Sequence, residues 1–176
     1  MRHPAKSLFL AAFSLALLVA RPVNAELLSD EARTAGNTTT PVATLNTLAG
    51  SSDWRVRREV AANRRSPEDL LHKLATDPER RVKIAVATNL STAERTHMLL
   101  AEDADDTVRS VVAHFEYVPT AVLDKLANDA VTQVRIEVAR AFNTSKATLK
   151  KLMQDEYEEV RQAAARNLTQ RQVEGE

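Results

Sequence analysis

The chain has 176 residues, 44% of them hydrophobic and 27% charged, which suits one folded domain and excludes a disordered chain. Its 24 basic and 24 acidic residues cancel, so it lacks the basic excess of a nucleic-acid binder. Cysteine is absent, which removes disulfides, thiolate metal sites, iron–sulfur ligation, cysteine nucleophiles and the acylated cysteine of a bacterial lipoprotein. Aromatics at 4% and only 3 glycines argue against a turn-rich sheet protein, and the abundance of Ala, Leu, Val, Arg and Glu favours helices.

Residues 1–25 read as an export signal. Arg2, His3 and Lys6 form a basic start, Leu8 to Ala20 is an uninterrupted apolar or small run, and Val23-Asn24-Ala25 offers small residues for cleavage. The apolar run falls short of the roughly 20 residues that span a bilayer. The expectation is therefore a cleaved signal, a mature start at Glu26, a periplasmic or secreted location and no stable membrane anchor. Loss of Arg2, Lys6 and Arg21 leaves 21 basic residues against 24 acidic ones, a net of about −3.

Residues 26–40 are polar, and Gly36-Asn37-Thr38-Thr39-Thr40 predicts a flexible linker, with packing of Leu27 and Leu28 as a fragment of a cap the alternative. Residues 41–168 are a repeat. Leu48-Ala49, Leu74-Ala75, Leu100-Ala101, Leu126-Ala127 and Leu152-Met153 recur every 26 residues, as do Val56, Val82, Val108, Val134 and Val160. A basic residue follows each valine (Arg57, Lys83, Arg109, Arg135, Arg161), and four further on comes Ala61, Ala87, Ala113, Ala139 or Ala165. A fixed period without insertion marks a stacked array.

Each copy predicts two short helices. In the second copy Ser66-Pro67-Glu68-Asp69 reads as a capped start with acids in the first turn, and Leu70, Leu71, Leu74 and Ala75 recur at helical spacing. Asp77-Pro78 separates it from a second helix over about Glu79 to Asn89. Asn63, Asn89 and Asn167 are expected to close second helices in the left-handed conformation. Asp77, Asp103, Asp129 and Asp155 lie six residues before Lys83, Arg109, Arg135 and Arg161. They are expected to cap second helices and to pair with the base of the same or the adjacent copy, as a polar ladder. Residues 169–176 read as a frayed tail.

The pattern L-x-x-L-A-x-D-x-x-x-x-V-R-x-x-V-A-x-N, clearest over Leu71 to Asn89 and Leu123 to Ala139, resembles the HEAT-like α-solenoids, most of all their short leucine-rich-repeat-variant type. The resemblance implies an all-α, right-handed solenoid of five two-helix repeats. Relatives with an iron–sulfur cluster hold it on cysteines that this chain lacks, and no motif supports the bilin attachment of another HEAT-like group.

No nucleophile elbow, phosphate loop or dinucleotide fingerprint occurs. His97 stands where other copies have Leu45, Leu71, Leu123 and Leu149, which suggests a packing histidine; a metal site with His114, Glu102, Asp103, Asp105 and Asp106 is the sharper but poorly spaced reading. The second-helix surface offers Arg58, Ile84, Val111, His114, Ile136, Arg140 and Arg166, an apolar strip rimmed by arginine, and Tyr117 adds an exposed aromatic. Ile84 and Ile136 could equally pack on the neighbouring helix. These features point to a non-catalytic scaffold without cofactor that binds another protein, with self-association possible. The crowded arginines of the N-terminal end offer an alternative, an anionic surface or polysaccharide, and a metal accessory or enzyme ranks below both.

Overall fold

The computed structural model describes residues 29–174, so the expected signal peptide, Leu27 and Leu28 lie outside the described residues. Among the described residues there are eleven helices and no strand: α1 (Asp30–Gly36), α2 (Val42–Leu48), α3 (Trp54–Ala62), α4 (Glu68–Leu74), α5 (Arg80–Ala87), α6 (Glu94–Leu100), α7 (Asp106–His114), α8 (Thr120–Leu126), α9 (Thr132–Arg140), α10 (Lys146–Leu152) and α11 (Glu158–Glu174). Even-numbered helices are the first helices of the five repeats, and α3, α5, α7, α9 and α11 are the second helices. Successive second helices pack side by side from α1 on α3 to α9 on α11, and each first helix packs on the second helix of its own repeat. The chain is an α-solenoid.

The core follows from the repeat. Leu45, Leu71, Leu123 and Leu149 point in from the first helices, and Val56, Val82, Val108, Val134 and Val160 from the second, all fully buried. Each leucine is worth about 1.5–3 kcal/mol of hydrophobic transfer. Ala61, Ala87, Ala113 and Ala139 are also fully buried, and their small side chains let neighbouring second helices approach. The first helices are short because Pro41, Pro67 and Pro119 start three of them and a turn centred on Ser51, Asp77 or Asp129 ends these three.

Two polar ladders tie repeat to repeat. In the first, the base pairs with the Asp of the following copy, 20 residues on. Arg57 Nε and Nη2 donate to Asp77 at 2.6 and 2.9 Å, Lys83 Nζ to Asp103 at 2.6 Å, Arg109 to Asp129 at 2.7 and 3.1 Å, and Arg135 to Asp155 at 2.7 and 3.0 Å. The arginine Nη1 reaches back to its own copy: Arg109 donates to the carbonyls of Asp103 and Ala104, Arg135 to those of Asp129 and Ala130, and Arg161 to those of Asp155 and Glu156. The Asp does not cap the second helix as expected. Asp77 accepts from the Glu79 amide in the turn before it, and the cap is Glu79, whose side chain accepts from Arg81 N. Asp53 and Asp105 cap α3 and α7 in the same way.

The second ladder corrects the role of the asparagines. Asn63, the cap residue of α3, has φ −73° and ψ 124°, an extended conformation, and Asn167 lies inside α11. Their work is done by the side-chain amide. Asn63 Nδ2 donates to the carbonyls of Ala35 and Asn37, Asn89 to those of Ala61 and Asn63, and Asn167 to those of Ala139 and Ala141. Each amide thus satisfies the last carbonyls of the preceding second helix, which have no intrahelical partner. Ser66 likewise leaves α4 uncapped and donates instead to Val60 O at 2.5 Å.

Both ends differ from expectation. The predicted linker contains α1, capped by Ser29, with Ala32 and Ala35 fully buried against α3. Ala35, Asn37 and Thr40 stand one period before Ala61, Asn63 and Ser66, so α1 is the second helix of a partial preceding repeat. The predicted tail continues α11 to Glu174, and Arg171 is buried with its guanidinium on the carbonyls of Thr144, Ala141 and Phe142. Among the described residues no helix is long and apolar enough to cross a membrane.

Candidate protein-binding edge

The second-helix surface is less apolar than its sequence suggests. Ile84, Val111 and Ile136 are half-buried and pack against the core between neighbouring helices. Arg58 is half-buried and paired with Glu59. The apolar strip therefore serves stacking: Ile84 and Ile136 pack as the alternative had it, and Val111, expected on the exposed strip, packs with them.

Among the described residues the three most exposed large apolar groups lie elsewhere, in the turns that leave successive second helices, while Val42 of α2 and Tyr157 before α11 are less exposed. Leu90 follows α5, Tyr117 follows α7 and Phe142 follows α9, with 53%, 63% and 57% of their surfaces exposed. Leu90 and Phe142 occupy one repeat position two periods apart, and Tyr117 is one residue beyond the intervening position. These turns form one edge of the solenoid, where His114, Arg140 and Arg166 also stand exposed near the ends of α7, α9 and within α11. Of the predicted residues, the structure gathers His114, Tyr117, Arg140 and Arg166 on this edge. Sequence reasoning missed Leu90 and Phe142. Their signal was a large apolar residue at a repeat column that holds Thr38, Arg64 and Glu116 in other copies and Leu168, packed on the core, in the last.

The edge is irregular because the asparagine ladder breaks here. The third rung is Phe115 and the fourth is Ala141. At the third, His97 takes over: its ring stacks on Phe115 at 5.9 Å between centroids, and its Nε2 lies 3.0 Å from Ala87 O, the carbonyl an asparagine would have served. That carbonyl can only accept, so Nε2 carries the proton. Nδ1 is buried without a partner among the described residues, and burial pushes the His97 pKa below its ordinary value. Burial disfavours a charged ring, and its contacts with Ala87 O and Phe115 commit it to the core, away from the exposed His114.

At the fourth rung Ala141 cannot reach Ala113 O, and no side chain of the described residues donates to that carbonyl. Asn143, two residues on, donates instead to the carbonyls of Glu116 and Val118. A depression of about 310 Å³ remains, lined by His114, Glu116, Glu137, Arg140, Ala141 and Phe142. Within it Glu137 is a hub. It lies 3.1 Å from His114 Nδ1, accepts from Gln133 at 2.6 Å and faces Arg140 at 3.5 Å. A second depression of about 420 Å³ lies across the Arg140–Phe142 ridge, lined also by Ala163, Arg166, Asn167, Gln170 and Arg171. Among the described residues no group of three His, Asp or Glu side chains is placed to hold a metal ion.

No known family profile matches the chain, and no curated protein matches it. Among solved structures it is similar to a leucine-rich repeat variant described as having a novel repetitive structural motif, with 27% identity and a TM-score of 0.61 over 76% of this chain. The match spans about half, 52%, of that protein's length. An engineered protein aligns at 20% identity and a TM-score of 0.41 over 80% of this chain and 86% of its own. The likeness to the repeat variant agrees with a repeat solenoid built from short helices.

Proposed function

We propose that the chain is an exported, non-catalytic scaffold that binds another protein along the edge formed by the ends and exit turns of its second helices. The observation that carries this is the alignment of Leu90, Tyr117 and Phe142, large apolar groups left in water at successive repeats beside exposed arginines. The leucine-rich-repeat-variant likeness supports a place among short-repeat HEAT-like solenoids, a fold that presents surfaces and leaves function to the site grafted on it. The N-terminal sequence supports export to the periplasm or medium. Capture from the native envelope fraction tests the binding claim. The full chain retains a discrete protein, and a Tyr117→Ser/Phe142→Ser bait of unchanged helix content loses it. Equal retention by both baits sinks the assignment of the edge.

Binding of an anionic surface by the N-terminal end is the weaker reading. Arg64 and Arg65 are exposed there, and Arg55 and Arg81 flank the Trp54 ring at 5.0 and 4.7 Å. Yet Arg55, Arg57, Arg58, Arg80 and Arg81 each face a carboxylate of their own, which spends most of that positive charge internally.

A further inference from the structure

We propose that the larger depression, between the end of α9 and α11, docks an acidic peptide segment carrying one large apolar side chain. This rests on the protein-binding reading above and adds the partner's chemistry. Arg140, Arg166 and Arg171 line the depression, and no carboxylate does among the described residues, in a chain whose charges otherwise balance. Arg166 is exposed and reaches no carboxylate among the described residues, and Arg140 is held only loosely by Glu137 at 3.5 Å. Guanidinium groups left in this way favour carboxylates, which they bind bidentately.

Arg171 supplies the rigid floor. It is buried, spends Nη1 and Nη2 on backbone carbonyls, and sets its Cζ 5.3 Å from the centre of the Phe142 ring. Its Nε is buried and meets no acceptor among the described residues. Phe142, steadied from one side and more than half exposed, is the apolar anchor. The volume of about 420 Å³ falls within the roughly 300–1,000 Å³ of ordinary ligand clefts. A nucleic acid fits less well. Its phosphates need a continuous basic track, and the adjoining depression presents Glu116 and Glu137.

The test is fluorescence anisotropy of the full chain with a labelled peptide alternating Asp or Glu with Leu and Phe. Saturable binding is expected, weakened at least about tenfold by Arg140→Glu/Arg166→Glu, by Phe142→Ser, and by raising salt from low to high ionic strength. The altered side chains are exposed, and circular dichroism verifies that the helices remain. Equal affinity of the charge-reversed protein overturns the proposal. So does equal binding of a Lys-for-acid peptide or of a labelled oligothymidine, and so does no binding at all. If a native partner contacts Phe142 but survives the arginine reversals, the acidic chemistry falls while the binding edge stands.

Discussion

His97 and Phe115 are two departures from the repeat that make sense only together. One loses a core leucine, the other a ladder amide, and the imidazole of the first serves the carbonyl that the second abandons. His97→Leu or Phe115→Asn alone is expected to destabilise, whereas the double variant restores both consensus groups. A urea double-mutant cycle should show favourable coupling of about 1–2 kcal/mol; strict additivity contradicts the pairing. The same histidine makes stability fall with acid. The folded pKa is depressed, so the unfolded chain takes up a proton that the folded one refuses, and stability declines as pH drops below about 6.5. Asp77, Asp129 and Asp155 act lower. Burial alone pushes Asp77 and Asp129 up, but the guanidinium and backbone hydrogen bonds win and hold them low; Asp155 is held low first by Arg135. Their contribution is fully present above the ordinary carboxylate pKa and is lost as pH falls below about 4. Melting temperature against pH should show both declines, and His97→Leu/Phe115→Asn should remove only the upper one.

At the scale of the element, the rungs differ by what their side chains can reach. Lys83 has one nitrogen and spends it on Asp103, whereas Arg109 and Arg135 also satisfy two carbonyls of their own copy. Lys83→Arg is expected to add those bonds and stabilise by about 0.5–1.5 kcal/mol in urea unfolding. An unchanged or lowered midpoint would show that the turn before α5 does not present its carbonyls. Ala141→Asn should likewise supply the missing amide to Ala113 O, fill the smaller depression and raise stability by about 1 kcal/mol. The helices, the alanine column and the Asp–base pairing were legible because each repeats at one period with one kind of side chain. The asparagine amides were not, because a local cap and a contact 26 or 28 residues back leave the same mark in sequence. Ile84, Val111 and Ile136 misled because the half-exposed and half-buried columns of a stacked helix differ by less than one turn.

For the whole molecule, stability is a chain of neighbour interfaces, so its ends matter as much as its middle. Helix α1 was read as linker because Asp30 stands where the repeat has valine, although Ala35, Asn37 and Thr40 keep the phase. Deleting residues through Gly36 should strip the α3 face and the Ala35 acceptor of Asn63, lowering the melting temperature well beyond what loss of an unpacked segment gives. The exposed apolar groups were the least legible part, since Phe142 and Leu90 stand out only by their exposure on one edge, and only stacking creates that edge. The most direct measurement is in-cell photo-crosslinking with a benzophenone amino acid placed at Phe142, and in parallel at Val42 on the first-helix layer. A discrete protein adduct at position 142 and none at 42 is the predicted result. No adduct at 142, or the same adduct at both positions, would contradict a binding edge on the second-helix side.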